Sequence, residues 1–257
     1  MLLAIDVGNT QTHIGMFRGD DLVEHWRFAT SRTTTNDELA IRVAALLRLR
    51  GLTLDEVDGA IVASVVPQQD SEWTALNDRY FHGRLVMVGG EGVKLGMPIR
   101  TDNPREVGAD RLMNAVAAFE QVGGACVVVD FGTSINYDVV SQDGEYLGGA
   151  IAPGVQISMD ALTQRAARLV KVEIEAPASA IGRSTQAAIR SGIVYGFAGQ
   201  VDGIVGRIRE ELGVEAKVIA TGGLAEAIAP FCQEIDEVDD LLTLSGLRIV
   251  WERNRAL

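Results

Sequence analysis

Two apolar runs that stop at an aspartate frame the hydrophobic pattern of this chain. Residues 4–10, Ala-Ile-Asp-Val-Gly-Asn-Thr, return in altered form at 128–134 as Val-Val-Asp-Phe-Gly-Thr-Ser. An alternating or apolar run resumes after each, at Thr12–Phe17 and at Ile135–Val140. The first part of the chain then predicts strands over 2–7, 12–17 and 22–28, separated by turns at Gly8-Asn9 and Gly19-Asp20-Asp21. A helix is expected over 37–50, capped by Asn36 or Asp37, because Leu39, Val43, Leu46 and Leu47 recur at helical spacing. A buried strand over 59–66 ends at Pro67, and a helix near 70–80 and a strand at 84–88 follow.

The second part repeats this order. Strands are expected at 125–130, 135–140 and 145–151, then helical segments at 155–167 and 183–212, the latter interrupted by glycines. A strand at 217–220 runs into Thr221-Gly222-Gly223, a helix covers 224–229, and 239–255 closes the chain with a helix near its end. Residues 90–108, with Gly, Pro and few apolar positions, read as a loop or linker. The expectation is an α/β chain of two similar halves, 1–117 and 118–257.

The repeated tips carry the candidate chemistry. In Asp6-Val7-Gly8-Asn9-Thr10 a glycine at a hairpin tip lets backbone N–H groups approach an anion, and Asn9 and Thr10 add side-chain donors. Asp6, at the strand end, can hold magnesium directly or through water. A plain hairpin turn also favours Asp, Gly and Asn. The second copy, Asp130-Phe131-Gly132-Thr133-Ser134, argues against that bland reading, because two ordinary hairpins have no reason to share the pattern. Gly222-Gly223 can admit a flat ligand close to backbone, though a simple strand-to-helix turn reads the same. Asp110, at the start of an apolar helix, is either a residue matched to the helix dipole or a general base, with Arg111 and the helix N-terminus holding substrate.

Composition narrows the classes. The chain has 257 residues, 47% of them hydrophobic, enough for a core in each half, and a formal net charge of -12. That acidity argues against nucleic acid or an anionic membrane as partner. No P-loop motif occurs, and the lysines are Lys94, Lys171 and Lys217, so phosphate charge falls to metal, backbone and arginine. The N-terminus carries no signal-peptide pattern, no apolar stretch approaches the ~18 residues of a membrane span, and Cys126 and Cys232 lack metal-ligand spacing. A soluble cytoplasmic protein is expected.

An ordered set of short motifs resembles the type III pantothenate kinases: Asp-x-Gly-Asn-Thr at 6–10, Ser64-Val-Val-Pro67, Asn103-Pro104 with Gly108-Ala-Asp-Arg111, Asp130-Phe-Gly-Thr133, Gly148-Gly-x-Ile-x-Pro-Gly154, Gly182-Arg-Ser-Thr185 and Ala220-Thr-Gly-Gly223. The resemblance implies the duplicated actin-like (ribonuclease H-like) fold, with two halves around a nucleotide cleft. It implies ATP-dependent phosphorylation of pantothenate to 4'-phosphopantothenate, the first step of coenzyme A synthesis. Asp6, Val7, Gly8, Asn9, Thr10, Gln11, Thr12, His13 and Thr133 are then ATP contacts, with Gly222 and Gly223 on the adenosine side. Asp110 is the implied catalytic base, and Gly108, Ala109, Asp110, Arg111 and Thr185 are pantothenate contacts. Asp130 is the implied ligand of a monovalent cation, potassium or ammonium, and Asp6 belongs to magnesium. A homodimer with the pantothenate site at or near its interface is also implied. This chain departs from the family at Thr101, where many members carry tyrosine, and at Ser134-Ile135-Asn136, where the family often reads Ala-Thr-Thr. Other readings are a kinase or phosphatase of another small molecule, or an inactive nucleotide-binding regulator; retention of Asp6, Asp110, Asp130 and Thr133 speaks against the last.

Overall fold

The computed structural model describes residues 1–81, 83–166, 169 and 171–255. In chain order the main elements are β1 (Leu2–Val7), β2 (Gln11–Arg18), β3 (Asp21–Ala29), α1 (Asn36–Arg48), β4 (Gly59–Ser64), α2 (Pro67–Leu76), β5 (Arg84–Met87) and α3 (Ala109–Val122). There follow β6 (Cys126–Phe131), β7 (Ser134–Val140), β8 (Tyr146–Pro153), α4 (Val155–Arg165), α5 (Thr185–Leu212), β9 (Lys217–Thr221), α6 (Ala225–Ile228), β10 (Glu237–Val238) and α7 (Leu242–Asn254).

The duplication is exact at the level of topology. One sheet has the order β3-β2-β1-β4-β5 and the other β8-β7-β6-β9-β10. In each, the first strand pairs antiparallel with the second and parallel with the fourth. Even the irregularities repeat. The register slips between Met16 and Phe17 in one hairpin and between Val139 and Val140 in the other. A bulge kept in both copies bends the outer strand in the same way.

Residue contacts sort the chain into two units. The first comprises Met1–Met97, Asp102–Ala117 and the segment from Leu242 onward, and the second Pro98–Thr101 and Ala118–Leu241. The 117/118 division falls inside α3, and α7 packs with the first unit against β1, β2 and β4. In the first unit Leu3, Ile5, Val7, Ile14 and Met16 point to α1 and α2, where Leu39, Val43, Leu47, Trp73 and Leu76 complete a core. In the second, Val127, Val129, Phe131, Ile135 and Tyr137 meet Val155 and Met159 of α4 and Ile193, Phe197, Val201 and Val205 of α5.

Several boundaries move from their sequence expectation. The cap of α1 is Thr35, not Asn36 or Asp37: its hydroxyl accepts from Glu38 N while Glu38 reaches back to Thr35 N, a capping box. Pro67 begins α2 rather than only ending a strand, as its missing N–H permits at a first helical position. The segment expected over 183–212 forms one unbroken helix, Thr185–Leu212, of 28 residues in spite of its glycines. Within the supposed linker, Arg100 N and Pro98 O bond to Tyr146, so residues 98–100 lie along β8. The expected helix end at 167 lies outside the described residues.

The seat of α7 depends on Gly246. A Cβ there would stand 2.0 Å from Met113 O, and backbone cannot yield as a flexible side chain can. Gly246→Ala is expected to lower the urea midpoint, with a loss of unfolding free energy above the ~1–3 kcal/mol of ordinary overpacking. An unchanged midpoint would show that α7 does not need this close approach to α3.

Candidate active site

A strand whose neighbours are antiparallel on one side and parallel on the other brings a hairpin tip and a strand-to-helix turn to the same sheet edge. In the first unit these are Gly8–Thr10 and Ser64–Val66. Gly8 N donates to Gln11 O at 3.1 Å, closing the tip around Asn9 and Thr10. Val65 N donates to Val7 O at 3.0 Å, tying the second turn to the first. Ser64 Oγ accepts from Val66 N at 3.1 Å just ahead of α2. The carboxyl ends of β1 and β4 and the N-terminus of α2 therefore share one edge, where ligands of open α/β sheets bind.

The ATP segment inferred from sequence divides by burial. Asn9, Thr10 and Gln11 are exposed, whereas Val7 packs in the core and Thr12 and His13 are buried. Thr12 Oγ1 and Thr30 Oγ1 share a hydrogen bond of 2.8 Å. His13 Nε2 lies 3.0 Å from His25 Nδ1. Burial first, then the charge of Arg27 and the proximity of His25, pull the His13 pKa down to about 3. His13 is thus neutral at physiological pH and offers no charge to a phosphate. The exposed side chains at this tip are Asn9, Thr10 and Gln11.

Asp110 sits in the first turn of α3. Its Oδ1 accepts from Arg111 N at 2.8 Å. The carboxylate folds back over Gly108: a Cβ on that glycine would lie 2.5 Å from Asp110 Oδ1 and 3.4 Å from Val65 Cγ1. Asp110 and the Ser64–Val66 turn are therefore neighbours. Burial raises the Asp110 pKa, and the Arg111 N–H and the Arg111 charge oppose that rise less strongly. A half-buried carboxyl with an upward-shifted pKa is suited to accept a proton near neutral pH.

The second unit builds its own edge. Gly132 N donates to Ser134 O at 3.0 Å, leaving exposed Thr133 at the apex, a tip one residue tighter than the first. Gly154 abuts it: a Cβ there would fall 2.2 Å from Thr133 O. Gly154 is also the N-cap of α4, so that helix N-terminus, with its partial positive charge, starts at the tip. Gly222, at φ +93°, packs equally close, its Cβ position being 2.4 Å from Asp130 Oδ1 and 2.8 Å from Phe131 N. Gly154 and Gly222 approach this closely only because each lacks a side chain at the contact. Gly223 is exposed beside Gly222.

Two site residues of the sequence reading lie elsewhere in the second unit. Thr185 is the exposed first residue of α5, behind the cap Ser184, whose Oγ accepts from Ala187 N at 3.2 Å. Thr101 lies against β8, 3.5 Å from the Cβ position of Gly148, with its hydroxyl buried and unpartnered. The sequence reading gave no role to Ser64, Gly154 or Asn136. Ser64 carried a signal, a hydroxyl ending an apolar strand; the closeness of Gly154 to the tip is tertiary and left none.

The carboxylates at the two tips stand singly. Among the described residues no three His, Cys, Asp or Glu side chains gather as a metal cage. Magnesium needs none, because it keeps several waters and takes one or two carboxylates plus phosphate oxygens. Asp6, one residue before the tip glycine's neighbour Val7, is such a carboxylate. Asp130 is a second single carboxylate at a strand end, with Gly222 packed against its Oδ1.

A sequence model of the family described as type III pantothenate kinase matches residues 2–207. The Moorella thermoacetica type III pantothenate kinase is 52% identical over 254 residues, covering 99% of this chain and all of that one. The Myxococcus xanthus protein of the same name is 51% identical over 256 residues, covering both chains completely. Among solved structures the ROK hexokinase of Thermus thermophilus superposes with a TM-score of 0.54 at 14% identity, covering 100% of this chain and 99% of that one, which establishes the duplicated actin-like sugar-kinase fold. With its repeated tips, its Asp110 helix and this full-length similarity, the chain belongs to the type III pantothenate kinase family.

Proposed function

We propose that this protein transfers the terminal phosphoryl group of ATP to the primary hydroxyl of pantothenate, giving 4'-phosphopantothenate and ADP and opening coenzyme A synthesis. Family membership over the whole chain carries this reading. Asp110 takes the hydroxyl proton as the new oxygen–phosphorus bond forms and the bond to ADP breaks. Gly108, Ala109, Arg111 and Thr185 hold pantothenate. The first tip, Asp6 to His13, holds phosphate through backbone N–H groups and Asn9, Thr10 and Gln11. Thr133 holds it from the second tip, and Gly222-Gly223 lies on the adenosine side. Magnesium at Asp6 and potassium or ammonium at Asp130 offset charge on the phosphoryl group when bound. Catalysis of this kind is largely positioning and electrostatics.

The test is ADP release by the purified protein with pantothenate as acceptor, beside glucose as a sugar-kinase control. Activity on glucose with none on pantothenate would move the chain to another acceptor on the same fold.

Asp110→Asn is expected to cut turnover by ~10²–10⁴-fold, the usual contribution of a positioned base. The same change should stabilise the protein at pH 7. Burial raises the folded pKa of Asp110 above its unfolded value. Its stabilising effect is therefore complete below the unfolded carboxylate range and is lost as pH rises through the folded pKa. Asparagine keeps the neutral form, so wild type and variant should converge in urea midpoint at acid pH and separate at neutral pH. Turnover within a few-fold of wild type would remove Asp110 from the base role.

A cytoplasmic location belongs to the same reading, and the unpaired thiols of Cys126 and Cys232 agree with a reducing compartment. Among the described residues no helix is long and apolar enough to cross a membrane. A homodimer also belongs to it. Gly192, Gly196, Gly199, Gly203 and Gly206 recur on α5 at spacings of four and three, on the face opposite Ile193, Phe197, Val201 and Val205. Added Cβ atoms at Gly192, Gly196, Gly199 and Gly206 would meet nothing within 4 Å. Each glycine costs about 0.5–1 kcal/mol in a helix interior, so an open glycine face supports close approach by a second helix. Thr185 heads the same stripe, which agrees with a pantothenate site near a subunit interface. Light scattering should give a dimer for wild type and a monomer for Gly199→Leu. A monomeric wild type, or a dimer indifferent to leucine at 199, would exclude this seam.

A further inference from the structure

Residues 112–118 of α3 are all buried, and Asn114 is the one polar side chain among them. Its Oδ1 accepts from Thr243 Oγ1 of α7 at 2.7 Å. Burying an amide is unfavourable unless it is bonded, so its place in an apolar run needs a reason. The neighbours supply one. Ala115, Ala117 and Ala118 are small, and small apolar side chains give a helix little to stop it sliding or turning against another. A single polar contact in an apolar seam fixes register. Asn114 lies about one helical turn beyond Asp110, so what fixes the register of Asn114 also fixes that of the Asp110 carboxylate.

α7 is in turn held to the sheet that ends in the first tip. Leu244, next to Thr243, lies against β2: a Cβ at Gly15 would stand 2.9 Å from Leu244 Cδ1. Gly15 pairs with Ala4, and Ala4 and Asp6 share a face of β1 by alternation. Toward the other end of the helix, Trp251 fills the space that a side chain would need at Gly59 of β4. Between them in sequence, Gly246 meets Met113 O of α3. One helix therefore touches both the hairpin that carries the phosphate tip and the helix that carries Asp110. The tip, Asp110, Asn114 and α7 all belong to the first unit.

We propose that α7 is a splint that sets the distance from the first tip to Asp110, with the Thr243–Asn114 bond pinning the register, so that Thr243 and Asn114 are positioning residues for phosphoryl transfer. The proposal rests on the reading of Asp110 as the base. A slip of one residue along α3 moves the carboxylate by about 1.5 Å, and a misplacement of about 1 Å costs up to ~10²-fold in rate. Both residues act through Asp110, so the loss falls on turnover more than on binding of ATP or pantothenate.

Kinetics of the full chain test this. Thr243→Val removes the donor and should lower kcat about tenfold or more, with KM for ATP and for pantothenate within about threefold of wild type. Thr243→Ser keeps the hydroxyl and should keep most of the rate. Asn114→Leu should lose at least as much as Thr243→Val. Val43→Ala, in the core beneath α1, loses stability there and should keep kcat, which separates positioning from a general loss of stability. The decisive measurement is the double variant. In an Asp110→Asn background, Thr243→Val should cost almost nothing more, because the group it positions has lost its function. Wild-type kcat in Thr243→Val, or a loss that multiplies in full with that of Asp110→Asn, would overturn the splint and leave the base reading standing. Wild-type turnover in Asp110→Asn would remove the base reading itself, and the proposal with it.

Discussion

The active edge of each unit depends on one constraint, the mixed pairing of its central strand. β1 runs antiparallel to β2 and parallel to β4, and β6 does the same with β7 and β9. An antiparallel partner returns through a hairpin at the strand's carboxyl end. A parallel partner arrives with its own carboxyl end at that edge and leaves into a turn or helix. The pairing alone therefore delivers a tip and a second turn side by side, twice. The Val65 N to Val7 O bond is that delivery in the first unit. The contact of Gly222 with Asp130 and Phe131 is its counterpart in the second. Shifting either register by one residue would turn Asp6 or Asp130 into the apolar face and lose both edge and core.

This constraint explains what the sequence disclosed. An apolar run broken by an aspartate and then a glycine is a local pattern, and its recurrence made the two tips and their strands legible to within a residue or two. The acidic start of α3 was legible too, but only as two alternatives. What the sequence could not show is that Asp110 folds back over Gly108, whose Cβ position also lies 3.4 Å from Val65 Cγ1, a residue more than forty positions earlier. Caps and close approaches were hidden for the same reason. Thr35 outcompetes Asn36 because Glu38 completes a reciprocal box with it. Gly154 looks like any residue ahead of a helix until Thr133 O is found against it. The glycines of α5 read as interruptions because local propensity is what a sequence displays, whereas the buried Ile193, Phe197, Val201 and Val205 hold the helix together.

The acidic chain handles phosphate with little basic side-chain help. Lys217 pairs with Glu237 at 2.7 Å and Lys171 with Asp160 at 2.8 Å, so both have carboxylate partners. His13 lies in the phosphate segment but is held neutral. The means that remain are fixed dipoles: backbone N–H groups at the two tips and the α4 N-terminus behind Thr133. Such dipoles are organised before the reaction and do not have to reorient as charge moves. Their weakness is that they carry no net charge. Under the proposed function, carboxylates at Asp6 and Asp130 near phosphate would be repulsive unless cations stood between.

Burial at Asp110 follows from a related trade. A carboxylate in water is a weak base, and moving it out of water strengthens it at the expense of the folded state. The Arg111 N–H and the Arg111 charge limit that cost, but their effect is smaller than that of burial. A fully paired Asp110 would be more stable and a poorer proton acceptor. Gly108 makes the intermediate state possible. Without a Cβ it lets the carboxylate fold against its own helix start, buried yet close enough to Arg111 N to keep one strong partner. The glycine and the acid therefore act as one unit, with the glycine fixing how far the acid leaves water and burial raising the pKa of the acid.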